Sequence, residues 1–344
     1  MACNRNVEMI PKEACPHCGN TSPRFKGARP AGKVQWQCKA CGKYWTSVVT
    51  GKKESMTTDK KVGAFDWREW TPHLAERQRL HEKASFSQDA AIIRIETEYP
   101  CIVWKPMSDL HIGDIGADYS YLAEFTDKVL SIPYLYLSLS GDEEDNFVSF
   151  KNQLAVLQQI LSPEEQDAFV ESWLSEIGPK VLFAGWGNHA EFEEKVSGRN
   201  TLKHLLNHHV AYFNGIGIAT IQVNGQTYRA VSTHRTRYNS SFNKTHGLKQ
   251  LARRDIPDAD IYLSGHIHDP AYEVSFERGR EQVFIVLGSI KHNDGFAKRY
   301  FSYFSARRDA ALVLDSREHR IGVFPCLDDA LSYAEAVNSR QPAA

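Results

Sequence analysis

Five short apolar runs in this chain each break off into the same few polar residue types, and no other feature narrows the fold as far. Tyr99-Pro-Cys-Ile-Val-Trp runs on to Asp109-Leu-His111, and Pro133-Tyr-Leu-Tyr-Leu-Ser-Leu to Gly141-Asp142-Glu-Glu-Asp145. Pro179-Lys-Val-Leu-Phe-Ala leads to Gly187-Asn188-His189, Arg229-Ala-Val-Ser-Thr to His234, and Asp260-Ile-Tyr-Leu-Ser to Gly265-His266-Ile-His268. Continuous apolar runs of this length suit strands buried on both faces. Helical stretches over 119–131, 148–177 and 199–211 separate several of them. Residues 217–231 read as a hairpin turned by Asn224-Gly225; a second hairpin falls near 272–287, late strands near 311–325 and a last helix over 327–337. The pattern implies an α/β sandwich with mixed sheets. Its polar residues gather at strand ends, where open sheets place their sites, and the flanking glycines permit sharp turns there.

Those residues make a mixed nitrogen and oxygen donor set: the carboxylates of Asp109 and Asp142, the amide of Asn188, and the imidazoles of His111, His234, His266 and His268. Two divalent ions about 3.5–4 Å apart can hold both oxygens of an in-line displacement at phosphorus and polarise a nucleophilic water. Such a pair wants a bridging carboxylate, neutral imidazoles and further oxygens, a set suited to Mn foremost, with Fe, Zn or Ni as alternatives. Thiolates would be wrong for it, and Cys101 stands a full strand ahead of Asp109. One such motif alone is more often structural than metal-binding. Five in order point to two-metal hydrolysis of a phosphoester.

The order DxH, GDxxD, GNH, a lone His and GHxH resembles the calcineurin-like metallophosphoesterase superfamily across about residues 100–290. The resemblance implies a four-layer α/β/β/α sandwich with two mixed sheets and a di-metal site at the strand ends. By its pattern Asp109, His111, Asp142 and His268 hold one metal, Asp142 bridges, and Asn188, His234 and His266 complete the second. His189 would protonate the leaving oxygen as general acid, a task suited to imidazole. Ser108-Asp-Leu-His-Ile-Gly is most similar to the Mre11/SbcD nuclease branch. An acid commonly follows the family's GNH; here Ala190 does, with Glu191 one place later. Asp145 keeps the second acid of GDxxD and is expected to orient His189 or a metal ligand, the alternative being a capping or solvated role.

The segment after His234 supplies Arg235, Arg237 and Lys244, cations able to grip substrate phosphates while Tyr238 or Phe242 stacks a base. A plain solvated loop is the competing reading. His204, His208 and His209 fall on a helix and are expected to be surface or packing residues.

The front of the chain follows different rules. Cys15-Pro-His-Cys18-Gly and Cys38-Lys-Ala-Cys41-Gly lie 19 residues apart, and two residues between cysteines let both thiolates turn onto one ion. Four thiolates make a closed structural zinc site, and without that metal the stretch should unfold. It resembles the zinc ribbons of transposase-associated and transcription-related proteins, with strands expected at 33–37 and 43–49. Residues 1–62 hold 12 Lys/Arg against 4 Asp/Glu, which leaves 29 against 38 of the chain's 41 and 42 for the remainder. A basic front end can meet a polyanion by releasing its counterions.

The organisation expected is therefore a ribbon over 1–50, a linker and docking helix over 51–90, and a metallophosphoesterase domain over 91–344. No apolar run is long enough to span a membrane, and the start has no signal-peptide pattern, so a cytoplasmic protein is expected. The leading function is a nuclease with DNA or RNA as partner. The alternative is a phosphatase or phosphodiesterase for a phosphoprotein, nucleotide or other small phosphoester, the ribbon then contacting protein. Oligomeric state is not legible, although Mre11-like relatives often dimerise.

Overall fold

Two knuckles of cysteine organise the first of the two compact units into which the chain divides, Met1–Glu76. The computed structural model describes residues 14–29, 33–48, 66–84, 90–148, 153–237, 240, 242–277, 279–291 and 310–340. Strands β1 (Pro23–Arg29), β2 (Lys33–Cys38) and β3 (Tyr44–Val48) form an antiparallel sheet in that order. The alternating pattern reveals β2 and β3 but hides β1, whose register shifts between Phe25 and Gly27, the latter at φ +124°. Gly19 and Gly42, each following a CxxC pair, take left-handed φ of 71° and 72°. Val34 and Trp36 are buried beside Cys15 and Cys38. Of the linker and docking helix expected over 51–90, residues 51–65 and 85–89 lie outside the described residues. The helix expected within 51–90 is present as Trp67–Ala84, with Trp67, Trp70, Leu74 and Leu80 exposed.

The second unit, Arg77–Ala344, is built from strands β4 (Ala90–Ile95), β5 (Cys101–Met107), β6 (Leu135–Leu139), β7 (Val181–Gly185), β8 (Tyr212–Phe213), β9 (Gly217–Val223), β10 (Gln226–Thr233), β11 (Ile261–Ser264), β12 (Ala271–Glu277), β13 (Arg280–Val286), β14 (Ala311–Asp315) and β15 (Ile321–Phe324). One sheet runs β15-β14-β5-β6-β7-β8, the other β12-β13-β11-β10-β9-β4. Both are mixed: β5 through β8 are parallel while β14 opposes β5, and β10, β11 and β13 are parallel while β9 opposes β10, β12 opposes β13 and β4 runs parallel to β9.

Successive side chains of a strand point to opposite faces, so a run that is apolar throughout must be covered twice. In β5, Cys101 and Val103 pack under the helices Tyr119–Ser131, Pro163–Ile177, Thr201–His209 and Leu327–Asn338. Ile102 and Trp104 turn the other way and meet Ile221, Ile261 and Ile285 of the second sheet. The outer face of that second sheet, with Val231, Tyr262 and Phe284, is covered by Leu248, Leu251 and Ala252 of the helix His246–Arg254. Helix, sheet, sheet, helix: this is the four-layer α/β/β/α sandwich.

The continuous helix expected over 148–177 is instead two, Gln153–Val156 and Pro163–Ile177. Ser162 and Glu165 form a reciprocal capping box and Pro163 occupies the first turn, so the chain restarts a helix there. The Asn224-Gly225 turn has φ of 46° and 90°, the left-handed pair that a two-residue hairpin needs.

Candidate metal centre

Every candidate ligand sits just beyond the C-terminal end of a strand: Asp109 and His111 after β5, Asp142 after β6, Asn188 after β7, His234 after β10, His266 and His268 after β11. Five of the seven are in the left-handed region, with φ of 56° at Asp109, 48° at His111, 55° at Asp142, 74° at His266 and 54° at His268. Asp and His enter this region more readily than most residues, yet each still costs about 1–2 kcal/mol. Hydrogen bonds between the loops hold them there. Asp109 N donates to Gly141 O (2.9 Å), His111 N to Asp142 O (3.0 Å), and Asp145 N to Ile112 O (2.9 Å). His266 N donates to Asp109 Oδ2 (2.9 Å), and Ser289 Oγ donates to Asp109 O (2.6 Å). The motif glycines admit the carboxylates. A Cβ at Gly187 would lie 2.1 Å from Asp142 N, and one at Gly265 would lie 2.6 Å from Asp109 Oδ2.

The donor atoms fall into overlapping groups. Those of Asp109, His111 and His268 lie within 4.8 Å of one another, as do those of Asp142, His234 and His266, and those of His111, Asp142 and His189. Asn188 Oδ1 is 3.1 Å from His234 Nε2. The structure thus brings all seven predicted ligands together, with His189 among them.

The hydrogen atoms decide what such a cluster can hold. His234 Nδ1 faces the Ser140 carbonyl at 3.0 Å, an acceptor, so Nδ1 carries the hydrogen. In the neutral ring Nε2 then presents a lone pair to Asp142 Oδ2 at 2.9 Å and Asn188 Oδ1 at 3.1 Å. Likewise His111 Nδ1 donates to Asp145 Oδ1 (3.0 Å), which turns its Nε2 lone pair toward His268 Nε2 at 3.0 Å. His268 Nε2 is in turn 3.1 Å from Asp109 Oδ1, a buried oxygen with no hydrogen-bond partner among the described residues. Electron pairs converging from several sides suit a cation. The donor types fit a divalent metal pair.

The charges say the same. Burial lowers His234, but Asp109 and Asp142 outweigh it and hold the ring up to about 9, so without a metal a proton takes its place. Burial, reinforced by His189 and His268, drives His111 well below the ordinary value. Burial and the charge of His234 push His266 down to about 4. Asp109 and Asp142 stay ionised despite burial because the surrounding histidines favour the charged form.

His189 Nδ1 donates to the Asp145 carbonyl at 2.5 Å, and its Nε2 lies 3.9 Å from Asp142 Oδ2. The ring is walled by Phe147 and Phe192, at 4.9 and 4.8 Å between centroids. Backbone therefore fixes the ring without the acid absent at Ala190. Asp145 is fully buried, which excludes a solvated role; its side chain serves His111, with His189 Nδ1 further off at 3.9 Å. Sequence reasoning missed Lys291, whose Nζ lies 2.7 Å from Asp114 Oδ2 and 3.5 Å from Asp145 Oδ1. It also missed Ser289 and the two phenylalanines. None sits in a motif, and only tertiary packing reveals them.

Arg235 and Arg237 are exposed beside the cluster, whereas Lys244 Nζ is engaged by Asp269 Oδ1 at 2.5 Å. Phe242 is fully exposed and Tyr238 lies outside the described residues. His204 and His208 face solvent on their helix. In the first unit, Cys15 Sγ and Cys41 Sγ are 3.7 Å apart, Cys18 Sγ and Cys38 Sγ 3.5 Å. A tetrahedron with Zn–S of about 2.3 Å has edges of about 3.8 Å. The Cys41 N–H, helped by that of Ala40, brings the Cys38 thiol down to about 6 against its burial, toward the thiolate a metal takes. The cluster fits a zinc ribbon.

Residues 107–270 match the model of the calcineurin-like phosphoesterase family, and every one of the seven candidates falls inside that span. Over that span the chain resembles a calcineurin-like phosphoesterase domain. The span comprises 164 of the chain's 344 residues, with β4, β12 to β15 and the C-terminal helix contributed wholly from outside it. No curated protein matches the sequence. Among solved structures the chain is similar to a predicted phosphoesterase from Streptococcus pneumoniae, at 17% identity over 65% of this chain and 90% of that one, TM-score 0.33. It is also similar to Vacuolar Protein Sorting 29 from Cryptosporidium parvum, at 15% identity over 65% and 96%, TM-score 0.33. A third is Vps29 from Entamoeba histolytica complexed with Zn, at 11% identity over 64% and 90%, TM-score 0.31. Among the described residues no helix is long and apolar enough to cross a membrane.

Proposed function

We propose that the chain is a two-metal phosphodiesterase that cleaves nucleic acid. The observation that carries the chemistry is the meeting of imidazole nitrogens and buried carboxylates, with Asp109 Oδ1 left without a hydrogen-bond partner among the described residues. In this reading Asp109, His111, Asp142 and His268 would hold one ion, and Asn188, His234 and His266 would hold the other together with Asp142. Two divalent ions there, Mn foremost, would polarise the phosphoryl group and make an attacking water more acidic. The rest is done by side chains. Asp145, through its carbonyl, holds His189 Nδ1, so that Nε2 is the nitrogen that hands a proton to the leaving oxygen. Phe147 and Phe192 keep water from competing for that ring.

Polymer as substrate is supported by two charge features: Arg235 and Arg237, exposed directly after His234, and the excess of Lys and Arg in the ribbon. A ribbon on the same chain that binds nucleic acid raises the local concentration of substrate at the metals. Purified protein with Mn²⁺ should degrade single- or double-stranded DNA or RNA, and Asp142→Ala or His189→Ala should abolish this. Cleavage confined to small esters such as bis-p-nitrophenyl phosphate would leave the phosphoesterase and sink the nuclease. Cys15→Ser/Cys38→Ser protein that cuts polymer as well as the parent would remove the ribbon's part in holding substrate and leave the nuclease standing.

A further inference from the structure

Lys291 stands 180 residues from His111 in sequence, yet it closes the arrangement behind that ring. Its side chain is only 10% exposed and touches two carboxylates from two loops: Asp114, after β5, at 2.7 Å and Asp145, after β6, at 3.5 Å. The lysine is itself fixed. Its N–H donates to Ser289 Oγ (2.9 Å), Ser289 Oγ donates to Asp109 O, and Ile290 O accepts from Asp118 N (3.0 Å). Asp145 Oδ1 is thus shared between the Lys291 ammonium and His111 Nδ1. A buried carboxylate keeps a fixed place only when a cation and donors hold it. With Oδ1 held, the hydrogen belongs on His111 Nδ1, and Nε2 faces Asp109 and His268 as a lone pair.

We propose that Lys291 is a positioning residue for the ion taken by Asp109, His111 and His268, acting through Asp145 to fix the tautomer and aim of His111. This rests on the two-metal reading above. Partners of this kind, set behind a ligating histidine, are worth about 10–100-fold in metal affinity. The second ion, taken by Asn188, His234 and His266, has its own orienting contact at the Ser140 carbonyl and should not feel the change.

The test is calorimetric titration of the full-length, metal-stripped chain with Mn²⁺ and no substrate. Lys291→Met should weaken one of two ions by about 10–100-fold and leave the other within about threefold. Asp145→Asn should do the same, and the double variant should add little, since both changes cut one connection. Lys291→Gln carries the same expectation should the methionine variant not fold. At saturating Mn²⁺ the kcat of Lys291→Met should return toward that of the parent. Unchanged affinities would overturn the proposal. Equal weakening of both ions with a matching fall in Tm, or additive losses in the double variant, would also overturn it. A parent that binds two ions but cleaves no phosphoester removes the proposed function and leaves this inference standing. A parent that binds none removes both.

Discussion

Gly187→Ala isolates how closely backbone must approach a carboxylate in this site. A Cβ there would lie 2.1 Å from Asp142 N, 2.2 Å from Asp142 Oδ1 and 2.9 Å from Asp142 Cα. Ordinary contact begins near 3.4 Å, so Asp142 or the Asn188 loop must retreat by about 1.3 Å. No flexible side-chain tip is available to absorb that. Overpacking of this sort costs about 1–3 kcal/mol, which in a unit of this size lowers Tm by about 5 °C. The larger effect is on rate, because a displacement of about 1 Å at a reacting centre can cost on the order of 100-fold. Two other glycines calibrate the result. Gly198 has φ +72° and no atom within 4 Å among the described residues, so Gly198→Ala should cost stability alone, about 1 kcal/mol. Gly215 has neither restriction, and Gly215→Ala should be neutral. The assay is thermal unfolding beside hydrolysis of bis-p-nitrophenyl phosphate at saturating Mn²⁺. Gly187→Ala with the parent's kcat, or with a loss no greater than that of Gly198→Ala, would refute the reasoning.

The remaining expectations concern protons and zinc. In metal-free protein His234 is raised to about 9 from 6.5, so its contribution to stability is full below about pH 6.5 and fades as pH rises through 9. Glu143, pushed up to about 8 by burial, acts in the same direction: its neutral form suits the fold below its unfolded value of 4.5, and that advantage is lost as pH passes 8. Stability to denaturant in EDTA should therefore weaken as pH rises from about 4.5 to about 9, and saturating Mn²⁺ should remove the share owed to His234 while leaving that of Glu143; a metal-free profile that is flat between pH 8 and 9 counts against a protonated His234. Replacing Cys15 and Cys38 by Ser should lose about one zinc per chain and unfold the ribbon while the larger unit melts as before. Retention of that zinc would show it is held elsewhere.

The elements legible in the sequence are those whose burial is complete. Strands β5, β6, β7 and β11 lie between two covered faces, so their residues are mostly apolar, Lys105 and Ser138 being buried exceptions, and the turns after them are marked by Asp, His and Gly. The helices Ala190–Ser197 and His246–Arg254 were not legible. The first is AEFEEKVS with Ala190 alone buried, and the second hides Leu248, Leu251 and Ala252 among five basic or polar residues in a stretch that reads as a loop. In the site, the ligand types are local in sequence because each motif is one turn of chain. Their orientation is not. That Asp145 turns to His111 and that Lys291 stands behind it depend on the pairing of loops from β5, β6 and β13, which no spacing encodes.

The five left-handed ligand residues together cost on the order of 5–10 kcal/mol, comparable to the whole net stability of a domain. Such strain persists only where the surroundings over-determine it. Here the surroundings are the adjacent ends of β5 and β6, whose loops bond to each other at Asp109, His111, Ile112 and Asp145. Yet Asp109 and Asp142 are both buried, and their mutual repulsion acts against those bonds until a cation lies between them. Metal removal should therefore loosen the loops before it touches the sheets. Hydrogen exchange of EDTA-treated protein should accelerate at 109–116, 141–146 and 265–269, while 181–185 and 283–286 keep their protection. Uniform acceleration across both groups would mean that the metals support the whole sandwich. No acceleration anywhere would mean that the loop bonds alone hold the strained backbone in place.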